Sequence, residues 1–181
     1  LELSTDEGKA LLDDLAALGA PRPIVVLTGG DPFEREDLVD LVRHGHGLGL
    51  PMALSPSVTP RLTSEALVEL RAAGATAVSL SLDGATPATH DAFRGCEGVH
   101  ADTMEAAANV RAAGFRLQIN TTVTRDNAHE LPALLDTVVA LGAGLWSVFF
   151  LVPTGRGEQL VALDADGVED GNVVLQLLLA Q

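Results

Sequence analysis

The chain has 181 residues, enough to bury one substantial core, and its 47% apolar content excludes a disordered chain. Its formal net charge of −14 argues against nucleic acid or an anionic membrane surface as the main partner, because both need clustered Lys and Arg. A single cysteine, Cys96, permits no disulfide within the chain and fits a reducing cytoplasm, and no run has the length and apolarity of a transmembrane helix.

Ser4-Thr5-Asp6-Glu7 has capping-box spacing and predicts a helix to about Leu18, with Leu11, Leu12, Leu15 and Leu18 on one face. Gly19 ends it. Ile24-Val25-Val26-Leu27 reads as a strand buried on both faces, broken at once by Thr28-Gly29-Gly30-Asp31-Pro32. A second helix is expected from about Glu36 to His46, then a short strand from about Met52 to Ser55. Thr63 caps a third helix through about Ala73, closed by Gly74. The strand Ala77–Leu82 runs into Asp83-Gly84, a helical turn at Pro87–Phe93 and a loop carrying Gly95 and Gly98. A fourth helix from about Asp102 to Ala113 feeds the strand Leu117–Val123. A fifth from about Glu130 to Leu141 feeds the strand Trp146–Val152, which ends in Pro153-Thr154-Gly155-Arg156-Gly157.

Arg71-Ala72-Ala73-Gly74 recurs as Arg111-Ala112-Ala113-Gly114, each copy ending a helix before a strand. Leu18-Gly19-Ala20 and Leu141-Gly142-Ala143 repeat that junction. The fold class is therefore α/β, with about five helix–strand units and parallel strands joined by helical crossovers. A full eight-fold barrel needs roughly 250 residues, so five strands make a partial barrel or an open sheet. Residues 1–157 form this core. Residues 158–181 are first acidic (Asp164, Asp166, Glu169, Asp170) and then apolar, and Asp164-Ala165-Asp166-Gly167 is too short for a calcium loop. A loosely packed strand or helix is expected at Val173–Ala180.

Ligands of parallel α/β sheets bind at the carboxyl ends of the strands. Here those ends read Thr28–Pro32, Ser55-Pro56-Ser57, Ser81-Leu82-Asp83-Gly84, Asn120-Thr121-Thr122 and Pro153–Gly157. Hydroxyls, backbone N–H groups, Asp and Asn suit a ligand with an amino-acid end, a ribose and a base. A tight βα turn without a ligand explains Gly29-Gly30 equally well, and loops are polar anyway. Ser81 and Asn120 speak for a ligand because they lie in or at the tip of apolar strands. Arg94 and Arg125, in loops near these ends, serve as carboxylate partners or as solvated charges. The histidines form no metal set: His44 and His46 lie on different helix faces, and surface or capping roles are expected for His90, His100 and His129. Trp146, Phe149 and Phe150 are read as core.

Over about Leu3 to Gly157 the pattern resembles the radical S-adenosylmethionine (radical SAM) family, and within it the subgroup that matures haem, quinone cofactors or peptides. Gly29-Gly30-Asp31-Pro32 resembles the Gly-Gly-Glu-Pro motif that binds the amino group of S-adenosylmethionine, with Asp in place of Glu. Ser81-Leu82-Asp83-Gly84 resembles a Ser-Leu-Asp-Gly motif, which places Ser81 on the methionine or ribose part. Asn120 matches an Asn on the family's fifth strand, with Arg125 a carboxylate partner beyond it. Pro153-Thr154-Gly155-Arg156 resembles a Pro-x-Gly-Arg segment, with Val152 near the adenine. The resemblance thus implies a cofactor-binding set of Thr28, Gly29, Gly30, Asp31, Pro32, Ser55, Ser81, Asp83, Asn120, Arg125, Val152 and Pro153.

It also implies a [4Fe–4S] cluster chelated by S-adenosylmethionine, a 5′-deoxyadenosyl radical, a small-molecule or peptide substrate, and an electron donor such as flavodoxin or ferredoxin. The family's Cys-x3-Cys-x2-Cys loop follows its first strand. Cys96 alone cannot replace it, so those ligands are expected upstream of Leu1 and the chain is read as a fragment, inactive by itself. Two other readings stand beside this one. One is a non-catalytic module that binds S-adenosylmethionine or a nucleotide. The other is a cluster-free TIM-barrel lyase, disfavoured because the only lysine, Lys9, lies on the first helix.

Overall fold

The structure is a computed structural model and describes residues 2–153, 160–164 and 166–171. The elements follow in the order α1 (Thr5–Ala17), β1 (Val25–Leu27), α2 (Leu38–Gly47), β2 (Met52–Leu54), α3 (Ser64–Ala73), β3 (Ala75–Ser81), α4 (Pro87–Arg94), α5 (Val99–Ala112), β4 (Arg116–Val123), α6 (Leu131–Ala140) and β5 (Leu145–Phe150). The strands form one sheet in the order β1-β2-β3-β4-β5. The pairs β1–β2, β2–β3 and β4–β5 are parallel. This is the expected α/β alternation. By its internal packing the chain divides into two units, Leu1–Leu80 with Ala106–Leu117, and Ser81–Glu105 with Gln118–Gln181.

In the first unit the capping box at α1 is complete: Glu7 N–H donates to Ser4 Oγ, and Ser4 N–H donates to a Glu7 carboxylate oxygen at 2.8 Å. Helix α1 packs on α2, and α2 on α3. Leu12, Leu41, Val42, Met52, Leu54, Leu67 and Leu70 are buried between these helices and the strands. Leu11 and Leu18 of the expected apolar face are exposed instead. Strand β1 also departs from expectation. Ile24 precedes it and is 69% exposed, and Val26 is 48% exposed. Among the described residues β1 pairs only with β2, and its Val26 face is left uncovered, so this apolar run is not buried on both faces.

Thr63 caps α3, accepting from the Ala66 N–H at 3.2 Å. Gly74 then lets β3 begin at Ala75, two residues before the expected start. The repeated Arg-Ala-Ala-Gly junctions are tied together in space. Arg71 donates to the Gly114 and Ala75 carbonyls, both at 3.1 Å, and lies over the Phe115 ring.

Strand β4, which lies in the second unit from Gln118 on, alternates strictly. Leu117, Ile119, Thr121 and Val123 are buried, while Gln118, Asn120 and Thr122 are half-buried. Leu131, Leu134 and Val138 of α6 are buried too. Strand β5 stops at Phe150, short of Val152, and Phe149 is 53% exposed, which removes it from the expected core. Residues 166–171 are helical, with the Gly167 N–H held by Asp164 Oδ1 at 2.9 Å. All of Val173–Ala180, like Thr154–Gly157, lies outside the described residues.

Candidate functional site

In the first unit the turn after β1 is polar and open. Thr28, Gly29 and Gly30 are exposed, and Gly29 has φ of +136°. A side chain there is strained. A Cβ on either glycine meets no atom within 4 Å, so both positions border open space. Asp31 follows as the cap of a short 3-10 turn at Pro32–Glu34. Its Oδ1 accepts from the Phe33 N–H at 3.2 Å and its Oδ2 from the Thr59 hydroxyl at 3.0 Å. The carboxylate is half-buried and held in one orientation. Pro32 is buried beneath it. Ser55 is half-buried, its N–H donating to the Leu27 carbonyl at 2.9 Å, which sets the β2 end beside the β1 end. Thr28–Pro32 borders a cavity of about 310 Å³ whose other wall is apolar, from Leu11, Leu12 and Leu15.

These glycines separate stability from binding. Gly29→Ala should cost about 1 kcal/mol of stability because of its positive φ. Gly30→Ala should leave the urea midpoint unchanged, because its backbone is ordinary and its surroundings are open. Equal losses in the two variants contradict this reading.

In the second unit Asp83 organises the ends of β3 and β4. It is 1% exposed. Its Oδ1 accepts from the Thr122 N–H at 2.7 Å, and its Oδ2 is paired with the Arg94 guanidinium. Its N–H donates to His90 Nδ1 at 3.0 Å, and its carbonyl accepts from Asn127 Nδ2 at 2.7 Å. Asn127 also holds the Thr122 carbonyl and the Thr124 N–H. Burial pushes the Asp83 carboxyl up, against the Arg94 charge and the Thr122 N–H that pull it down. Gly84 is required by close approach, since a Cβ there falls 2.5 Å from the His90 nitrogen.

His90 is the largest departure from the expected surface role. It is fully buried. Burial, then the Arg94 and His100 charges, lower its pKa to about 4, with Asp91 opposing them. Accepting from Asp83 leaves Nδ1 without a proton, so the neutral ring carries it on Nε2, 3.5 Å from the Thr103 hydroxyl.

Ser81 is half-buried at the end of β3. Asn120 is half-buried on β4, and its Oδ1 accepts from Gln118 Nε2 at 2.8 Å. Arg125 is exposed, its N–H bonded to the Val161 carbonyl at 2.9 Å. Val152 is 74% exposed and Pro153 is exposed. Thus Thr28–Asp31 and Ser55 share one unit, while Ser81, Asp83, Asn120 and Arg125 share the other. Sequence reasoning passed over Thr59, Gln118 and Asn127, and gave the buried His90 a surface or capping role. Only Gln118 carried a local signal, its position two residues before Asn120 on the same strand face.

Cys96 is exposed and free. Among the described residues no group of three or more His, Cys, Asp or Glu is placed to hold a metal ion. Among the described residues the donor set of a [4Fe–4S] cluster is therefore not met, whereas the exposed glycines and oriented carboxylate at 28–31 fit the amino-acid end of S-adenosylmethionine. No helix among the described residues is long and apolar enough to cross a membrane.

Residues 1–138 match the Radical SAM superfamily. The chain belongs to that family. An AdoMet-dependent heme synthase from Oleidesulfovibrio alaskensis is 45% identical over 161 residues, covering 89% of this chain and 41% of that protein. A PqqA peptide cyclase from Rhodopseudomonas palustris is 37% identical over 142 residues, covering 78% of this chain and 37% of that protein. The crystal structure of Streptococcus suis SuiB bound to precursor peptide SuiA superposes with a TM-score of 0.73 at 14% identity, over 97% of this chain and 39% of that one. The relatives fall in the haem- and peptide-maturing subgroup, as the motifs implied. The radical SAM chain spans about two fifths of the length of these curated relatives.

Proposed function

We propose that this chain is the S-adenosylmethionine-binding part of a radical SAM enzyme that matures a cofactor of the haem type. A peptide is the alternative substrate. The observation that carries the cofactor reading is the turn at 28–31, with two exposed glycines in open space beside a carboxylate oriented by Phe33 and Thr59. Gly29, Gly30 and Asp31 hold the amino group and carboxylate of the methionine end, between buried Pro32 and the Thr28 hydroxyl. Ser55 and Ser81 offer hydroxyls, Asn120 a carboxamide to the ribose, Arg125 a cation to a carboxylate, and Val152 with Pro153 an apolar edge to the adenine. Asp83 acts through others: with both oxygens engaged, it fixes the backbone that carries Ser81 and Thr122.

Bound together in a complete enzyme, a [4Fe–4S] cluster and S-adenosylmethionine supply one-electron reductive cleavage and hydrogen abstraction. The cluster ligands are assigned to protein sequence beyond this chain, and a flavodoxin or ferredoxin in the cytoplasm to the role of electron donor. Residues 1–157 are assigned to the barrel core and 158–181 to a tail outside it. The 45% identity to a heme synthase favours a tetrapyrrole over a peptide.

Asp31→Ala should weaken S-adenosylmethionine binding to the chain about tenfold, the worth of one charge-assisted hydrogen bond. Equilibrium dialysis with labelled S-adenosylmethionine measures it. Unchanged affinity overturns the assignment of this turn.

A further inference from the structure

Resting on the reading that Asn120 contacts the cofactor, we infer that Gln118 is a positioning residue that makes Asn120 a hydrogen-bond donor, so the ligand atom it meets is an acceptor. Gln118 and Asn120 share the half-buried face of β4, two residues apart. Ser147 on β5 lies in register with Asn120. The Gln118 Nε2 group donates to Asn120 Oδ1 at 2.8 Å and to Ser147 Oγ at 3.2 Å. Both of its N–H bonds are used in this orientation. A carboxamide offers one acceptor oxygen and two donor hydrogens. With Oδ1 held by Gln118, Asn120 turns Nδ2 outward. Among the described residues nothing accepts from Nδ2, and the side chain is half-buried, so these hydrogens are free for a ligand oxygen or nitrogen.

Gln118→Glu reverses the arrangement. A carboxylate at this position accepts from Nδ2, and Oδ1 then meets the acceptor on the ligand. The test is a double-mutant cycle on S-adenosylmethionine binding to the 181-residue chain, with Asn120→Ala, Gln118→Glu and the pair together. Each single variant should bind about tenfold more weakly, and the double variant within about twofold of Asn120→Ala. Any attraction between the new carboxylate and the sulfonium acts equally in both backgrounds, so the quantity read is the coupling between the two substitutions, expected to be about tenfold.

Native affinity in Gln118→Glu, or losses that multiply in the double variant, overturns the inference. No binding by the native chain, or native affinity in Asn120→Ala, overturns the assignment of Asn120 itself, and this inference falls with it. Side-chain amide NMR of the native chain makes the test independent of how the variants fold. On adding S-adenosylmethionine the Asn120 Nδ2 signals should move and the Gln118 Nε2 signals should hold, and the opposite pattern contradicts the inference.

Discussion

Asp83→Ala lowers the unfolding free energy by about 3 kcal/mol, read as a fall in urea midpoint. The size follows from what the carboxylate leaves behind. The Thr122 N–H loses its acceptor at 2.7 Å, and the Arg94 guanidinium loses its partner. Arg94 keeps 36% of its side-chain exposure, so water recovers part of its charge and the loss sits at the low end for a broken buried pair. Asp83→Asn keeps an oxygen for Thr122 and should cost less than Asp83→Ala. If Asp83→Ala stays within 1 kcal/mol of the native chain, Asp83 does not hold the β3 and β4 ends together.

Acid should act through His90. In the folded chain its pKa is about 4, against an ordinary value of 6.5. Between those values the unfolded chain binds a proton that the folded chain refuses, so stability rises with pH across this window. The contribution is complete above about pH 6.5 and is lost as pH falls toward 4, about 3 kcal/mol in all for a group this buried. Asp83 works in the opposite sense: its raised carboxyl favours the folded state in acid and offsets part of the loss. His90→Gln cannot titrate and keeps an oxygen that can accept from the Asp83 N–H. The stability of the native chain relative to His90→Gln should therefore fall by about 3 kcal/mol from pH 7 to pH 4. A flat difference means His90 is not held neutral by burial. Nitrogen NMR of the ring should show the Nε2–H tautomer at pH 6.

The local part of this structure was legible. The caps at Ser4 and Thr63 and the glycine after α3 are short-range devices, and each stands where its spacing put it. The polar strand ends were legible for the same reason, and their order carried the family. What escaped was set by partners far along the chain. Asp83 meets Thr122 across 39 residues, and His90 is buried by α5 and the Asp83 turn, which no pattern around Pro87–Phe93 announces. Ile24–Leu27 misled because apolarity fixes neither the place of a strand in its sheet nor which of its faces is covered. Gln118 stood in plain view on the face of Asn120, but its meaning depends on Ser147, supplied by the register of β5.

The most direct test of the central claim is backbone-amide NMR of the labelled chain titrated with S-adenosylmethionine. Saturable shifts are expected at Gly29, Gly30 and Asp31 and at Ser81 and Asn120, while the buried Ala106 and Val110 of α5 stay still. Shifts confined to other residues, or none at millimolar S-adenosylmethionine, contradict it.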